Sequence, residues 1–174
     1  MLSQPSVRLA RLRRGVVVAI EVLVLVLLGA AFFVRLPQVS GLSMEPRIGS
    51  GEFVLIDTIA YRFGPVRRGD IVAFRHGGPS SEAYLKRVIA LPGERVAIER
   101  GIVSIDGKPL EEAYVRYHDT TSVPERIVPA DGFFVLGDNR SNSDDSRDWG
   151  FVPASAIMGK AWLALWPPSR IGTL

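Results

Sequence analysis

Between Gly15 and Val34 the chain reads GVVVAIEVLVLVLLGAAFFV, twenty residues with one charge, Glu21. As a helix rising about 1.5 Å per residue, this run is roughly 30 Å long, the thickness of a bilayer's hydrocarbon core. Glu21 lies two turns from the arginine-rich end of the run, within reach of an interface. A cleaved export signal has a shorter apolar region followed by a small-residue cleavage site. Here Phe32, Phe33, Val34, Arg35 and Leu36 follow instead. The run therefore predicts an uncleaved, single-pass transmembrane anchor over residues 15–34. Arg8, Arg11, Arg13 and Arg14 precede it and only Arg35 follows closely. The positive-inside rule then puts residues 1–14 in the cytoplasm and residues 35–174 on the opposite side.

The chain has 21 basic and 18 acidic residues, a formal charge of +3. Four of those bases are the arginines of the head, which has no acid, so 17 bases face 18 acids in the remainder. A basic nucleic-acid-binding face is excluded on that distribution. Cysteine is absent and histidine occurs twice, at His76 and His118. That removes disulfides, thiol nucleophiles, thiolate metal sites and a multi-histidine centre. The acidic stretch from Asp138 to Asp145 has Arg140 and no central glycine, unlike a calcium loop. No metal and no cofactor are expected.

Beyond residue 36 the apolar pattern is short and strand-like. Glu52–Ile59, Asp70–Arg75, Tyr84–Ala90, Glu94–Ile98, Ile102–Ile105 and Gly132–Leu136 read as strands separated by turn residues. Asp106-Gly107 is a strong hairpin signal. The spacing predicts a mainly β, antiparallel domain over residues 35–174, with a short helix around Pro153–Met158, where proline suits the first turn.

Three segments carry possible chemistry. Ser43 lies in Ser40-Gly41-Leu42-Ser43-Met44-Glu45-Pro46, at most about 30 Å of extended chain beyond Val34. Lys86 lies in Tyr84-Leu85-Lys86-Arg87-Val88-Ile89-Ala90, where its face is shared with Tyr84, Val88 and Ala90. Gly137–Pro153, GDNRSNSDDSRDWGFVP, is dense in short polar side chains. A strand lysine is ordinarily solvated at an edge. In apolar company, however, burial disfavours the ammonium, and a fall from the usual 10.4 to about 8 is within its reach. A neutral lysine can take the proton that a serine must lose to become a nucleophile. Arg87 cannot do so, because guanidinium keeps its proton.

Taken together, four ordered blocks resemble the type I signal peptidases, membrane-bound serine endopeptidases with a Ser–Lys dyad. They are Ser40–Ile48, Arg68–Arg75, Tyr84–Ile98 and Gly137–Pro153. The resemblance implies an antiparallel β fold with a small extra lobe, acting as a monomer at the plasma (inner) membrane. It implies Ser43 as the acylated nucleophile and Lys86 as the general base. Ser143 would orient the lysine amine, with Asp145 and Arg147 as a supporting ion pair. The substrates implied are signal peptides of exported preproteins, presented at the lipid bilayer and cut after small residues at −1 and −3. The Ser43 N–H would donate to the oxyanion. Some members place a serine hydroxyl two positions before the nucleophile; Gly41 stands there, leaving a backbone N–H as second donor. Met44, Ile48 and Leu85 would wall a shallow apolar pocket. Two rivals are a related Ser/Lys peptidase with another substrate, such as a pilin processor, and a non-catalytic membrane-tethered β-domain.

Overall fold

The structure, a computed structural model, describes residues 5–77 and 81–174. Residues 1–4 of the basic head lie outside them. Two units divide the chain, residues 1–35 and residues 36–174.

In the first unit, helix α1 (Pro5–Phe33) takes in most of the arginine head together with the apolar run, and Val34–Arg35 is a short strand, β1. The expected span thus falls inside a longer helix, and Val34 lies outside it. Among the described residues no helix is long and apolar enough to cross a membrane. The transmembrane segment expected at residues 15–34 is accordingly not found as such. In α1 Arg11, Arg13, Arg14 and Glu21 share one helix with the valines and leucines. Those apolar side chains are not packed into a core: from Val16 to Leu28 the large ones are 47–68% exposed.

The second unit is mainly β, as its short apolar runs between turn residues predict. Its strands are β2 (Phe53–Asp57), β3 (Ile71–Arg75), β4 (Ala83–Ala90), β5 (Arg95–Glu99), β6 (Ile102–Ile105) and β7 (Lys108–Pro109). They continue with β8 (Val123–Ile127), β9 (Gly132–Leu136), β10 (Val152–Pro153), β11 (Ile157–Trp166) and β12 (Gly172–Thr173). Within this unit the main sheet runs β2-β11-β3-β4-β9-β10, with β12 on β11, and a smaller sheet runs β7-β6-β5-β8. The pairings are antiparallel throughout. Asp106 and Gly107 close the β6–β7 hairpin with φ of 50° and 75°, the left-handed pair that a tight primed turn requires.

The helix expected at Pro153–Met158 is corrected. Only Ala154–Ala156 turns, as a single 3₁₀ turn, and Ile157 already begins β11. Tertiary pairing decides this: β11 is bonded to β2 on one side and β3 on the other. Gly159 permits the approach, since a Cβ there would stand 2.3 Å from the Asp57 carbonyl oxygen. Two one-turn helices, α2 (Ala60–Phe63) and α3 (Ser146–Trp149), complete the unit.

Three apolar clusters hold these sheets. Ile89, Phe134 and Leu136 of the main sheet pack with Val96, Ile98 and Val103 of the smaller one. Val72, Phe74, Val88, Phe133 and Val135 form a second cluster. Met44 and Ile48 enter the third, beside Val54, Ile56, Ile71 and Ala73, and so anchor the turn that carries Ser43.

Candidate active site

Leu42 to Ile48 form a compact turn, closed by Glu45 N–H to the Leu42 carbonyl (3.1 Å) and Ile48 N–H to the Met44 carbonyl (2.9 Å). Burying Met44 and Ile48 fixes its inner side and leaves Ser43 half-buried at the rim. Asn139 ties the turn to the segment after β9. Its N–H donates to the Ser43 carbonyl (3.0 Å) and its Nδ2 to the Leu42 carbonyl (3.2 Å). Ser141 Oγ donates to Asn139 Oδ1 (3.0 Å) and so sets the orientation of that amide.

Ser43 and Lys86 line one cleft of about 290 Å³, together with Ser40, Met44, Ile56, Ala73 and Leu85. Met44 and Leu85 are therefore where a pocket wall was expected. Ile48 is in the core beneath the turn instead, because one turn of winding from Met44 points it inward. Gly41 is at a positive φ of 105°, and its N–H is directed at Ser50 Oγ, 3.4 Å away.

Lys86 is 3% exposed and sits directly across from Val72 in the β3–β4 register. No carboxylate among the described residues makes an ion pair with it. Burial pushes its amine down to about 8, against the opposing pull of Asp145, Asp144 and Asp138; the positive charge of Arg147 adds to the depression.

Two of those carboxylates, Asp138 and Asp145, are themselves engaged. Arg87 forks Asp138 through Nε (2.8 Å) and Nη2 (2.6 Å), donates to the Gly69 carbonyl (2.8 Å), and lies 4.2 Å over the Tyr114 ring. Arg147 forks Asp145 through Nε (2.8 Å) and Nη2 (2.9 Å), and reaches Asp119 with Nη1 (2.6 Å). Arg140 forks Glu112 (3.0 and 2.5 Å) and donates to the Gly137 carbonyl (2.9 Å). Bidentate pairs of this kind combine charge with fixed geometry.

Asp145 is the hub. Its Oδ2 accepts from Ser143 Oγ (2.7 Å) and from Gly137 N–H (3.0 Å). It also caps α3 through Arg147 N–H (3.2 Å), while its own N–H donates to Asp148 Oδ2 (3.1 Å), a capping box. Ser143, Asp145 and Arg147 are thus brought together, with Ser143 Oγ donating to Asp145 rather than meeting Lys86. The resemblance gave no role to Asn139, Glu112, or the Arg87–Asp138 pair. The density of polar residues in Gly137–Pro153 was the one signal that could have pointed to Asn139.

The buried pair gives a direct expectation for stability. Asp138 is fully buried, so Arg87→Ala strands a carboxylate without its partner. That should cost about 3–5 kcal/mol in denaturant unfolding. Arg95→Ala, which removes half of an exposed pair with Glu125, should cost less than about 1 kcal/mol in the same measurement.

Comparison with known proteins gives the class first: the relatives are peptidases. A signal peptidase I from Leptolyngbya laminosa is 45% identical over 139 residues, covering 76% of this chain and 68% of its own length. A probable signal peptidase I-1 from Synechocystis is 40% identical over 151 residues, covering 82% and 77% respectively. The crystal structure of a signal peptidase I from Enterococcus faecalis aligns with 56% of this chain and 97% of its own, at 33% identity and a TM-score of 0.47. The family profile described as signal peptidase, peptidase S26, matches residues 12–166, and the chain belongs to that family.

Proposed function

We propose that this protein is a serine endopeptidase that removes signal peptides from exported preproteins at a membrane surface. The observation that carries the proposal is that Ser43 and a buried lysine, which makes no ion pair among the described residues, line one partly apolar cleft. A neutral amine is the form that accepts a proton, and burial is what makes it neutral near physiological pH. In this reading Ser43 Oγ attacks the scissile carbonyl while Lys86 Nζ takes its proton. The proton passes to the departing amine, leaving an acyl ester on Ser43. Water, deprotonated by the same amine, then hydrolyses the ester and releases the signal peptide. The Ser43 N–H receives the developing oxyanion. Ser143, Asp145 and Arg147 hold the polar side of the amine's surroundings.

The membrane part of the proposal is supported by α1. A helix whose valines and leucines are exposed on every side needs an apolar partner, and the adjoining arginines suit a lipid headgroup region. The single pass rests on the sequence alone, whose arginine head and apolar run put the N-terminus in the cytoplasm and residues 36–174 on the far side.

The test is cleavage of a purified preprotein in detergent, with the product N-terminus read by mass spectrometry. Cleavage directly after a small residue at −1, absent in Ser43→Ala, is the expected result. Equal cleavage by that variant would overturn the proposal. The pH profile follows from the amine. Its active form is unprotonated, so kcat/KM should rise with pH through a midpoint near 8. A rate constant from pH 5 to 9 would remove Lys86 from the role of base.

A further inference from the structure

The segment after β11 reaches back over the turn that carries Ser43. Arg170, in the 3₁₀ turn Pro168–Arg170, sends Nε to Glu52 Oε1 at 2.6 Å. Its Nη2 donates to the carbonyls of Pro46 (2.7 Å) and Arg47 (3.1 Å). Glu52 is buried, and its Oε2 has no partner among the described residues. In return the Arg47 guanidinium donates to the Thr173 carbonyl, and Leu174 N–H bonds the Trp162 carbonyl of β11 (2.9 Å). Pairing of β12 with β11 completes the attachment of this segment to the main sheet.

The Ser43 turn is consequently held from both directions. Asn139 binds the carbonyls of Leu42 and Ser43, and Arg170 binds those of Pro46 and Arg47, three and four residues further on. Neither Arg170 nor Glu52 lines the cleft, so neither meets the substrate or the reacting atoms. Without the guanidinium, the two downstream carbonyls lose their donor and the peptide planes between Met44 and Arg47 gain freedom to rotate. A displacement of about 1 Å at the reacting atom can cost on the order of a hundredfold in rate.

We propose that Arg170, seated on Glu52, is a positioning residue that fixes the downstream end of the Ser43 turn. The inference rests on the reading of Ser43 as nucleophile for its effect on rate, but its geometric content can be measured without catalysis. The experiment uses the full chain in detergent and compares Arg170→Gln, Arg170→Lys and the double variant Glu52→Gln with Arg170→Gln. Against a preprotein, Arg170→Gln should lose about ten- to a hundredfold in kcat, with KM within about twofold of the parent. The pH midpoint should not move, because the lysine is untouched. Arg170→Lys, a single-point donor that keeps the charge but not the fork, should fall between. The double variant removes the stranded carboxylate, so it should regain the unfolding midpoint without regaining kcat.

Amide hydrogen exchange of residues 43–48 should quicken in Arg170→Gln while β3 and β4 exchange as in the parent. Parent-like kcat in the double variant would reduce the pair to a stability element and overturn the proposal. So would unchanged exchange in residues 43–48. If the parent itself leaves preproteins intact, the peptidase reading fails instead, and hydrogen exchange alone then upholds or overturns the positioning of the turn.

Discussion

Alanine at Ser43, or methionine at Lys86, is expected to lower kcat by on the order of 10⁴-fold or more. A nucleophile and its base act as one unit, so either loss alone removes most of what both supply. The two variants should nevertheless part company in stability. Ser43 is at the rim of the cleft, and its truncation should leave the unfolding midpoint nearly unchanged. Lys86 is a buried amine, and its depression from an ordinary 10.5 to about 8 corresponds to roughly 3 kcal/mol of unfavourable charge burial at neutral pH. Methionine keeps most of the stem's packing and brings no charge, so Lys86→Met should unfold at higher denaturant than the parent at pH 7. The pH dependence has a definite sign. Between pH 8 and 10.5 the unfolded parent binds a proton that the folded parent has released, so parent stability rises with pH there. The advantage of the methionine variant should shrink across that window. A less stable methionine variant at pH 7 would contradict the burial argument even with activity lost.

Gly137→Ala should damage the site directly, because the added methyl group collides with the Ser43 turn itself. A Cβ at that position would lie 2.3 Å from Ser143 Oγ, 2.6 Å from Ser143 Cβ and 2.5 Å from the Ser43 carbonyl oxygen. None of these neighbours can yield easily. Ser143 Oγ is bonded to Asp145, and the Ser43 carbonyl accepts from Asn139 N–H. Overpacking of this sort costs about 1–3 kcal/mol, and the shift it forces on Ser43 should lower kcat by about a hundredfold. Gly132, in β9 just before it, supplies the control. Its Cβ would meet Phe151 and Pro129 at 3.4 Å, ordinary contact distance, so Gly132→Ala should cleave preproteins at nearly the parent rate. Steady-state kinetics with both variants, beside their denaturation curves, would test the contrast. Parent-like kcat in Gly137→Ala would mean that the Ser43 turn can shift without consequence.

The short apolar runs bounded by turn residues were legible in the sequence as strands. Ile102–Ile105 and Gly132–Leu136 begin and end where the pattern puts them, and β2 to β5 differ only at their ends. The strands that escaped have physical reasons. β8, Val-Pro-Glu-Arg-Ile, is an exposed edge strand containing proline, so it carries no apolar alternation. β11 lies between two strands and lacks a clean two-residue period, while Pro153 just before it imitates a helix start. At the site, apolar neighbours leave a buried Lys86 beside the alternative of a solvated edge lysine, and it is the pairing of β4 between β3 and β9 that buries it. Arg87 reads as the one polar exception on a buried strand, yet Asp138, 51 positions away, draws it inside. Local spacing carries no information about a partner that distant. The same holds for Arg140 with Glu112 and for Arg170 with Glu52. Ile48 is apolar and close to Ser43, which suggests a pocket wall, whereas the winding of the turn sends it to the core.

The arginine forks around the amine have a consequence for the shape of the pH curve. Arg147 is the cation that acts on Lys86, and a guanidinium holds its charge across the whole range in which the amine changes. The positive background felt by the amine is therefore the same at pH 6 as at pH 9. On a logarithmic plot the acid limb should then climb with unit slope, the mark of one proton leaving one site. Had evolution put histidines where these arginines stand, two ionisations would overlap and the curve would steepen and lose its simple midpoint.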